Sequence, residues 1–266
     1  FSDWYGQAYS TIDLWKGDRS PFWSFFTHWG FFLIVIISWF LAESYQWMES
    51  TPYSSLRKLQ KYRYSFSIFA FAVIFLIVLL IFMKVTIAWL IVPLAVWAFV
   101  LILRSSQTDF ERLILFMTGT AFVLTLFVEV FVLRGDIARM NTVFKFYLQA
   151  WVFLALASAY GSVWLWRYLQ TKKDNLGLQI WKYGLLFLFI STALYPLLAG
   201  TAKIDDRISS RAKLTLDGMQ YMQSSFYVDE GQEMDLSQDY DAIRWMQDNV
   251  SGSPVIVEGN TVEYRW

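Results

Sequence analysis

The sequence predicts an all-α polytopic membrane bundle of about six transmembrane helices, followed by the start of a partial α/β tail. Three observations carry that expectation. Hydrophobic residues fill 56% of the 266 positions and charged residues only 17%, a balance too apolar for a single soluble core. The apolar residues fall in long uncharged runs, and aromatics, 20% of the chain, gather at several of their ends. From about residue 200 the composition shifts to Asp, Glu, Ser, Gln and Lys.

Residues 1–21 read as an N-terminal segment and residues 22–199 as the bundle. Crossing the bilayer takes roughly 20 apolar residues per helix, which places spans at about residues 22–42, 65–83, 85–103, 113–133, 143–166 and 181–198. Lys84 alone separates the second span from the third, so those two form a tight hairpin. Pro93 inside the third is tolerated because neighbouring helices can satisfy the freed carbonyl. Trp23, Trp39, Trp164, Trp166 and Trp181 sit where rings prefer the headgroup level.

Lysine and arginine in the short loops set the orientation. The loops after the first, third and fifth spans hold Arg57, Lys58, Lys61, Arg63, Arg104, Arg112, Arg167, Lys172, Lys173 and Lys182, and that side is expected to be cytoplasmic. The protein is then a multi-pass protein of the cytoplasmic membrane with both ends of this chain extracytoplasmic. In the tail, residues 239–249 carry Ile243 and Met246, with Val250 just after, at helical spacing before Gly252. Val255-Ile256-Val257-Glu258-Gly259 reads as a short buried strand. The chain opens at Phe1 without an initiator Met or signal peptide and ends just after that strand, so it reads as a fragment of a longer protein.

Composition removes several chemistries. With no cysteine, neither a disulfide framework nor a thiolate metal site can form, and His28 alone cannot build a histidine cluster. It reads as a headgroup-level side chain. A formal net charge of zero gives no electrostatic reason to expect nucleic acid. No P-loop, dinucleotide fingerprint, nucleophile elbow or metalloprotease motif is present, and nothing points to haem, flavin or a nucleotide. The cofactor is unknown. The acidic stretch 229–241 reads as a solvated loop, with a divalent-cation site as its alternative.

The candidate site is the polar cluster between the fourth and fifth spans. Ionisable residues at a membrane span are expensive and usually functional. Glu129 lies in the outer third of the fourth span and Asp136 seven residues on, so a continuing helix would point both carboxylates the same way. These two are the catalytic candidates. Arg139 is three residues after Asp136, in reach of an ion pair. Asn141, Lys145 and Gln149 follow at spacings of four, giving the fifth span one polar face expected to turn toward the interior or a water-filled cavity. Arg139, Asn141, Lys145 and Gln149 form the substrate-binding set. A guanidinium fork and a point charge beside an apolar wall suit a lipid-borne phosphate. The structural alternative has Lys145 snorkelling, Glu129 paired with Lys145, and Asp136 with Asn141 capping the fifth span. Asp13, Asp18 and Arg19 lie on the same side, as a solvated loop or the source of a general base. Glu43 reads as an ordinary boundary charge.

Gly135-Asp136 followed by Arg139-Met140-Asn141-Thr142-Val143-Phe144-Lys145-Phe146-Tyr147-Leu148-Gln149-Ala150-Trp151 resembles the signature of the YYY-domain family, uncharacterised polytopic membrane proteins of Chloroflexi and archaea. Leu216-Asp217-Gly218-Met219-Gln220-Tyr221, Asp241-Ala242-Ile243-Arg244-Trp245, Pro254-Val255-Ile256-Val257-Glu258 and Tyr264-Arg265-Trp266 resemble its tail segments in the same order. The family's layout is similar to that of C-fold glycosyltransferases, which take a sugar from a polyprenyl-phosphate donor on the outer face. The resemblance implies an enzyme of that kind, with Arg139 and Lys145 on the donor phosphate, Asp136 and Asn141 organising the loop or the sugar, and Glu129 tuning Lys145. Membrane lipid and a polyprenyl-phosphate sugar are the expected partners. A transporter or lipid flippase, or a scaffold subunit of a membrane complex, is the alternative.

Overall fold

Long apolar runs become long helices. The computed structural model describes residues 11–52, 54, 57, 59–172, 176–207, 215–229 and 231–255, which fall into two units, Phe1–Phe189 and Ile190–Trp266. Among the described residues, five helices are long and apolar enough to cross a membrane: α1 (Phe22–Ser50), α2 (Arg63–Phe82, entered through a 3-10 turn at Gln60–Tyr62), α4 (Asp109–Val130), α5 (Met140–Gln170) and α6 (Leu176–Arg207). Between α2 and α4 lies the shorter α3 (Ala88–Ile102), which contains Pro93. At 1.5 Å per residue α3 reaches only about 22 Å, so where six spans were expected the described residues hold five helices of spanning length and one shorter apolar helix. The difference lies in the hairpin. Its turn takes up Val85 and Ile87, both fully buried, before α3 begins.

That turn is a Schellman motif. Lys84 adopts the left-handed conformation with φ 63°, its N–H donates to the Ile81 carbonyl at 2.8 Å, and the Val85 N–H reaches back to Leu80 at 2.9 Å. At the other membrane end α4 opens on a capping box. The Thr108 hydroxyl accepts from the Glu111 amide at 3.2 Å, and the Glu111 carboxylate accepts from the Thr108 amide at 2.7 Å.

α4 packs between α3 and α5, and α1 packs against α5. The shared core holds Trp29, Leu33, Ile36, Trp39 and Phe40 of α1 with Ile91 and Leu101 of α3, Leu115 and Phe122 of α4, and Leu154 of α5. Small residues set how closely the helices approach. Ala150, Ala157 and Gly161 line the buried face of α5, where a Cβ on Gly161 would stand 3.3 Å from the Trp39 side chain. Two indoles tie helices together through serines: Trp97 of α3 donates to Ser44 of α1 at 2.9 Å, and Trp181 of α6 donates to Ser38 of α1 at 2.8 Å. α2 has one buried residue, Leu80, and α6 has none among those described.

α4 ends earlier than the sequence suggests. Its expected last turn is instead the strand β2 (Phe131–Leu133), antiparallel to β1 (Ile12–Leu14) with Asp13 opposite Val132. Backbone pairing with the N-terminal segment outcompetes the final helical turn, and Phe131 turns extended at φ −119°. The continuous helix expected to align Glu129 with Asp136 is therefore broken at Val130.

In the second unit a 3-10 turn (Gln220–Gln223) leads to a hairpin of β3 (Phe226–Asp229) and β4 (Gln232–Asp235), followed by α7 (Ser237–Asn249). The register pairs Tyr227 with Met234 and Val228 with Glu233 around Gly231, whose φ is 82°. The acidic stretch expected as a solvated loop is thus β4 and the start of α7. Short strands with carboxylates on exposed positions give too weak an alternation to read. The expected helix at 239–249 is α7. Val255 is not part of a strand, and the rest of the strand expected there lies outside the described residues.

The contact of Gly161 with Trp39 gives a direct test. Gly161→Leu forces the two helices apart and is expected to lower stability by about 1–3 kcal/mol, read as a lower midpoint of thermal unfolding in detergent. An unchanged midpoint would mean that α1 and α5 are not closely packed there.

Candidate functional site

Glu129 sits in the last turn of α4, 1% exposed, with both carboxylate oxygens engaged. Oε1 accepts from the Ser20 hydroxyl at 2.6 Å and from Arg139 Nη1 at 3.0 Å, while Oε2 accepts from the Ser20 amide at 2.9 Å. A carboxylate at this depth is stable only when so paired. The partner expected from sequence was Lys145. The observed partner is Arg139, because the strand after Val130 turns the chain back and returns Arg139 over the end of α4.

Arg139 is largely committed as well. Besides Glu129, its Nη1 reaches the Val128 carbonyl at 2.9 Å and its Nη2 the Ser20 hydroxyl at 3.1 Å, and the guanidinium lies 5.5 Å from the Trp15 ring centre. Beside it, Arg19 donates through Nη2 to the Trp15 carbonyl at 2.6 Å and through Nε to the Met83 carbonyl at 3.4 Å. Its Nη1 is enclosed and has no hydrogen-bond acceptor among the described residues. Arg19 makes no ion pair there either. One buried carboxylate at this end of the bundle is thus bonded to Arg139, and its charge is felt by Arg19 beside it. Trp15 and Ser20 were not singled out, and Arg19 was noted only as lying on the same side with Asp13 and Asp18, since a polar stretch before the first span gives no periodic signal. The long-range pairing of β1 with β2 brings them in.

Asp136 does different work. Its Oδ1 accepts from the Asn141 amide at 3.0 Å, and its Oδ2 from the Thr142 amide at 2.7 Å and hydroxyl at 2.6 Å. These amides are in the first turn of α5 and lack partners within the helix, so Asp136 serves as the cap that Arg139, at the cap position, does not supply. The ion pair of Asp136 with Arg139 expected from their spacing is not formed, because capping draws the carboxylate toward α5. Thr142 in turn accepts from the Leu133 amide at 3.1 Å, fixing β2 to α5. Burial pushes the Asp136 carboxyl up, but the Thr142 and Asn141 hydrogen bonds outweigh it and hold the group below the usual carboxylate range.

Asn141 is half-buried, and Lys145 and Gln149 are exposed. At 100° per residue they lie across α5 from Ala150, Leu154, Ala157 and Gly161. The polar face expected to point inward therefore lies on the outside of the packed bundle, since the small residues set the rotation of α5. Asp13 pairs with Arg134 through two bonds of 3.0 and 3.2 Å and lies on β1 rather than in a solvated loop, while Asp18 is exposed outside the strand. The Arg134 guanidinium holds the Asp13 carboxyl below its ordinary value. His28 is exposed, its ring 4.5 Å from Trp29 and 6.0 Å from Tyr147.

This arrangement lies wholly within a stretch with recognisable kin: the sequence profile of an uncharacterised membrane protein family, DUF2298, matches residues 1–154. The chain belongs to the DUF2298 family. The DUF2298 match takes in β1, the spans α1 to α4, the Glu129 cluster and the first half of α5. No curated protein and no solved structure matches the chain. Among the described residues no group of three His, Asp or Glu side chains could hold a metal ion.

At the opposite end of α1 a second buried carboxylate, Glu43, is met by Arg104 at 3.1 Å and by the Gln107 amide. It is 5% exposed. The boundary charge expected there is instead an interior ion pair joining α1 to the loop after α3.

Glu129→Ala leaves Arg139 without its counter-charge and is expected to cost about 3–5 kcal/mol. The Glu129→Ala, Arg139→Ala double variant should lose less than the sum of the two single losses, and strict additivity in that cycle would dissolve the pair. Because Asp136 has a depressed carboxyl in the fold, its stabilisation is present above the unfolded-state value near 3.8 and is lost as pH falls below it. Asp136→Asn should flatten the acid side of the stability profile below about pH 4. It should also cost about 1 kcal/mol at neutral pH, since the amide nitrogen that replaces one oxygen cannot accept the bond made there.

Proposed function

We propose that this membrane protein is glycosyltransferase-like, taking a sugar from a polyprenyl-phosphate donor whose phosphate docks at the Glu129 end of the bundle, on the outer face. One observation carries the reading. Arg139 is paired with the one buried carboxylate there, and Arg19 beside it, bonded only to backbone carbonyls, keeps an enclosed Nη1 with no acceptor among the described residues. A phosphodiester oxygen supplies both the missing acceptor and the missing negative charge. The resemblance of residues 135–151 to the YYY-domain signature, and through it to C-fold glycosyltransferases, supports the same chemistry.

The roles follow from what each group has left to offer. Glu129 and Ser20 hold Arg139 rigid, so Arg139 positions the site and adds charge rather than giving its whole fork to the donor. Arg19 contacts the phosphate directly. Lys145 and Gln149, exposed along α5, flank the lipid-borne part of the donor. Asp136 and Asn141 fix the loop. All four oxygens of Glu129 and Asp136 already accept hydrogen bonds, which suits positioning better than proton abstraction. The transporter alternative draws less support, since Trp29, Leu33, Ile36, Trp39 and Phe40 fill the space between the two polar ends.

Native mass spectrometry of the protein in mild detergent tests this. The wild type should carry polyprenyl phosphate, and Arg19→Ala, Lys145→Ala should lose at least about tenfold in retention, the scale of one charge-assisted hydrogen bond. Neither replacement strands Glu129, so the fold should survive. Undiminished lipid retention in that variant, or none in the wild type, would sink the reading.

A further inference from the structure

A cleft of about 350 Å³ opens between the last turns of α1 and α5, lined by Gln46, Tyr160, Trp164, Arg167, Tyr168 and Thr171. It lies far from the Glu129 cluster. From Asn141 to Arg167 the rise along α5 is about 39 Å, against about 40–45 Å for a bilayer with its headgroups. When one end of α5 sits at headgroup level, the other does too. We propose that this cleft binds the phosphodiester headgroup of a membrane phospholipid, and that the lipid braces α1 against α5.

Charge is the first reason. The cations around the cleft are mostly spoken for: Arg104 pairs with Glu43 at 3.1 Å and Lys172 with Glu49 at 3.4 Å. Arg167, exposed in the last turn of α5, has no carboxylate partner among the described residues. A guanidinium can grip two phosphate oxygens at once.

The walls supply the second reason. Trp164 and Tyr168 stack at 5.3 Å with their planes 19° apart, forming a flat, stiff side. Tyr160 contributes its ring, since its hydroxyl already donates to Glu111 at 3.1 Å. Thr171 donates to the Tyr168 carbonyl at 2.7 Å. Ring faces beside a cation, at the level where a span leaves the hydrocarbon, match the two parts of a phospholipid there: glycerol ester against the rings, phosphate against Arg167. A volume of this size lies within the range of small-ligand sites. The same end carries most of the loop lysines and arginines, which raises the local concentration of anionic lipid.

The test uses the delipidated protein in mild detergent, with phosphatidylglycerol, diacylglycerol of the same chains, and soluble glycerol phosphate as probes. Bound lipid is read by native mass spectrometry and stability by thermal unfolding. Phosphatidylglycerol should be retained and should raise the unfolding midpoint. Arg167→Ala should weaken retention at least about tenfold, and Trp164→Ala should weaken it while Lys61→Ala, an exposed cation outside the cleft, leaves it unchanged. Equal retention of diacylglycerol, or retention indifferent to Arg167→Ala, would overturn the proposal. Equal protection by glycerol phosphate would do so too, by assigning the cleft to a soluble phosphate ester. Retention of polyprenyl phosphate at the Glu129 end is read separately, so failure of either assignment leaves the other standing.

Discussion

Lipid tails are as apolar as leucine, so helices in a bilayer gain little by hiding apolar surface from it. Close packing and polar groups that cannot find water join them instead. Glu129 is such a group. Its carboxylate sits at the end of α4 and collects the Ser20 amide and hydroxyl from the segment before α1 and the Arg139 guanidinium from the start of α5. Three stretches distant in sequence are held by one charge. The strand pair of β1 with β2 and the Asp136 cap on α5 both depend on the chain being turned at this point. An unpaired charge here would cost several kcal/mol, which makes the arrangement close to all-or-none.

Glu43 repeats the device at the other end of α1, where Arg104 and Gln107 close on it. From Phe22 to Glu43 the helix rises about 32 Å, close to the roughly 30 Å of the hydrocarbon layer. The polar ties therefore bracket the apolar thickness, and the space between them is filled by large rings and branched side chains fitted around alanine and glycine. This division keeps charge where water and headgroups are near.

The spans were legible because each needs only local composition. Runs such as the one from Phe66 to Phe82 announce themselves without any knowledge of what packs against them. The candidate site was legible only as a cluster of residue types, and its wiring was not. Asp136 and Arg139 stand at ion-pair spacing, and only the break in α4 at Val130 sends one to cap α5 and the other back to Glu129. Whether Lys145 and Gln149 face in or out is decided by Ala150, Ala157 and Gly161, small residues whose packing role is invisible until a partner helix is placed. Glu43 passed as an ordinary boundary charge and Ser20 went unremarked because their partners lie across the fold. The β3–β4 hairpin escaped notice because charged residues occupy positions that a strand signal expects to be apolar.

The five residues 83–87 leave α2 and α3 little slack. During synthesis these helices cannot be threaded one after the other with a soluble loop between them. Helices so joined enter the bilayer most easily as a pair, and with the turn leading the Lys84 ammonium crosses the hydrocarbon at a cost of about 2.5–3.5 kcal/mol at its midpoint. The uninterrupted Leu, Ile, Phe and Val of α2 offset that, at about 0.3–0.6 kcal/mol apiece. A pair that goes in and comes back on the same side adds nothing to the sidedness of the chain. Which ends face which compartment is thus settled by the other spans, and the hairpin follows whatever they choose.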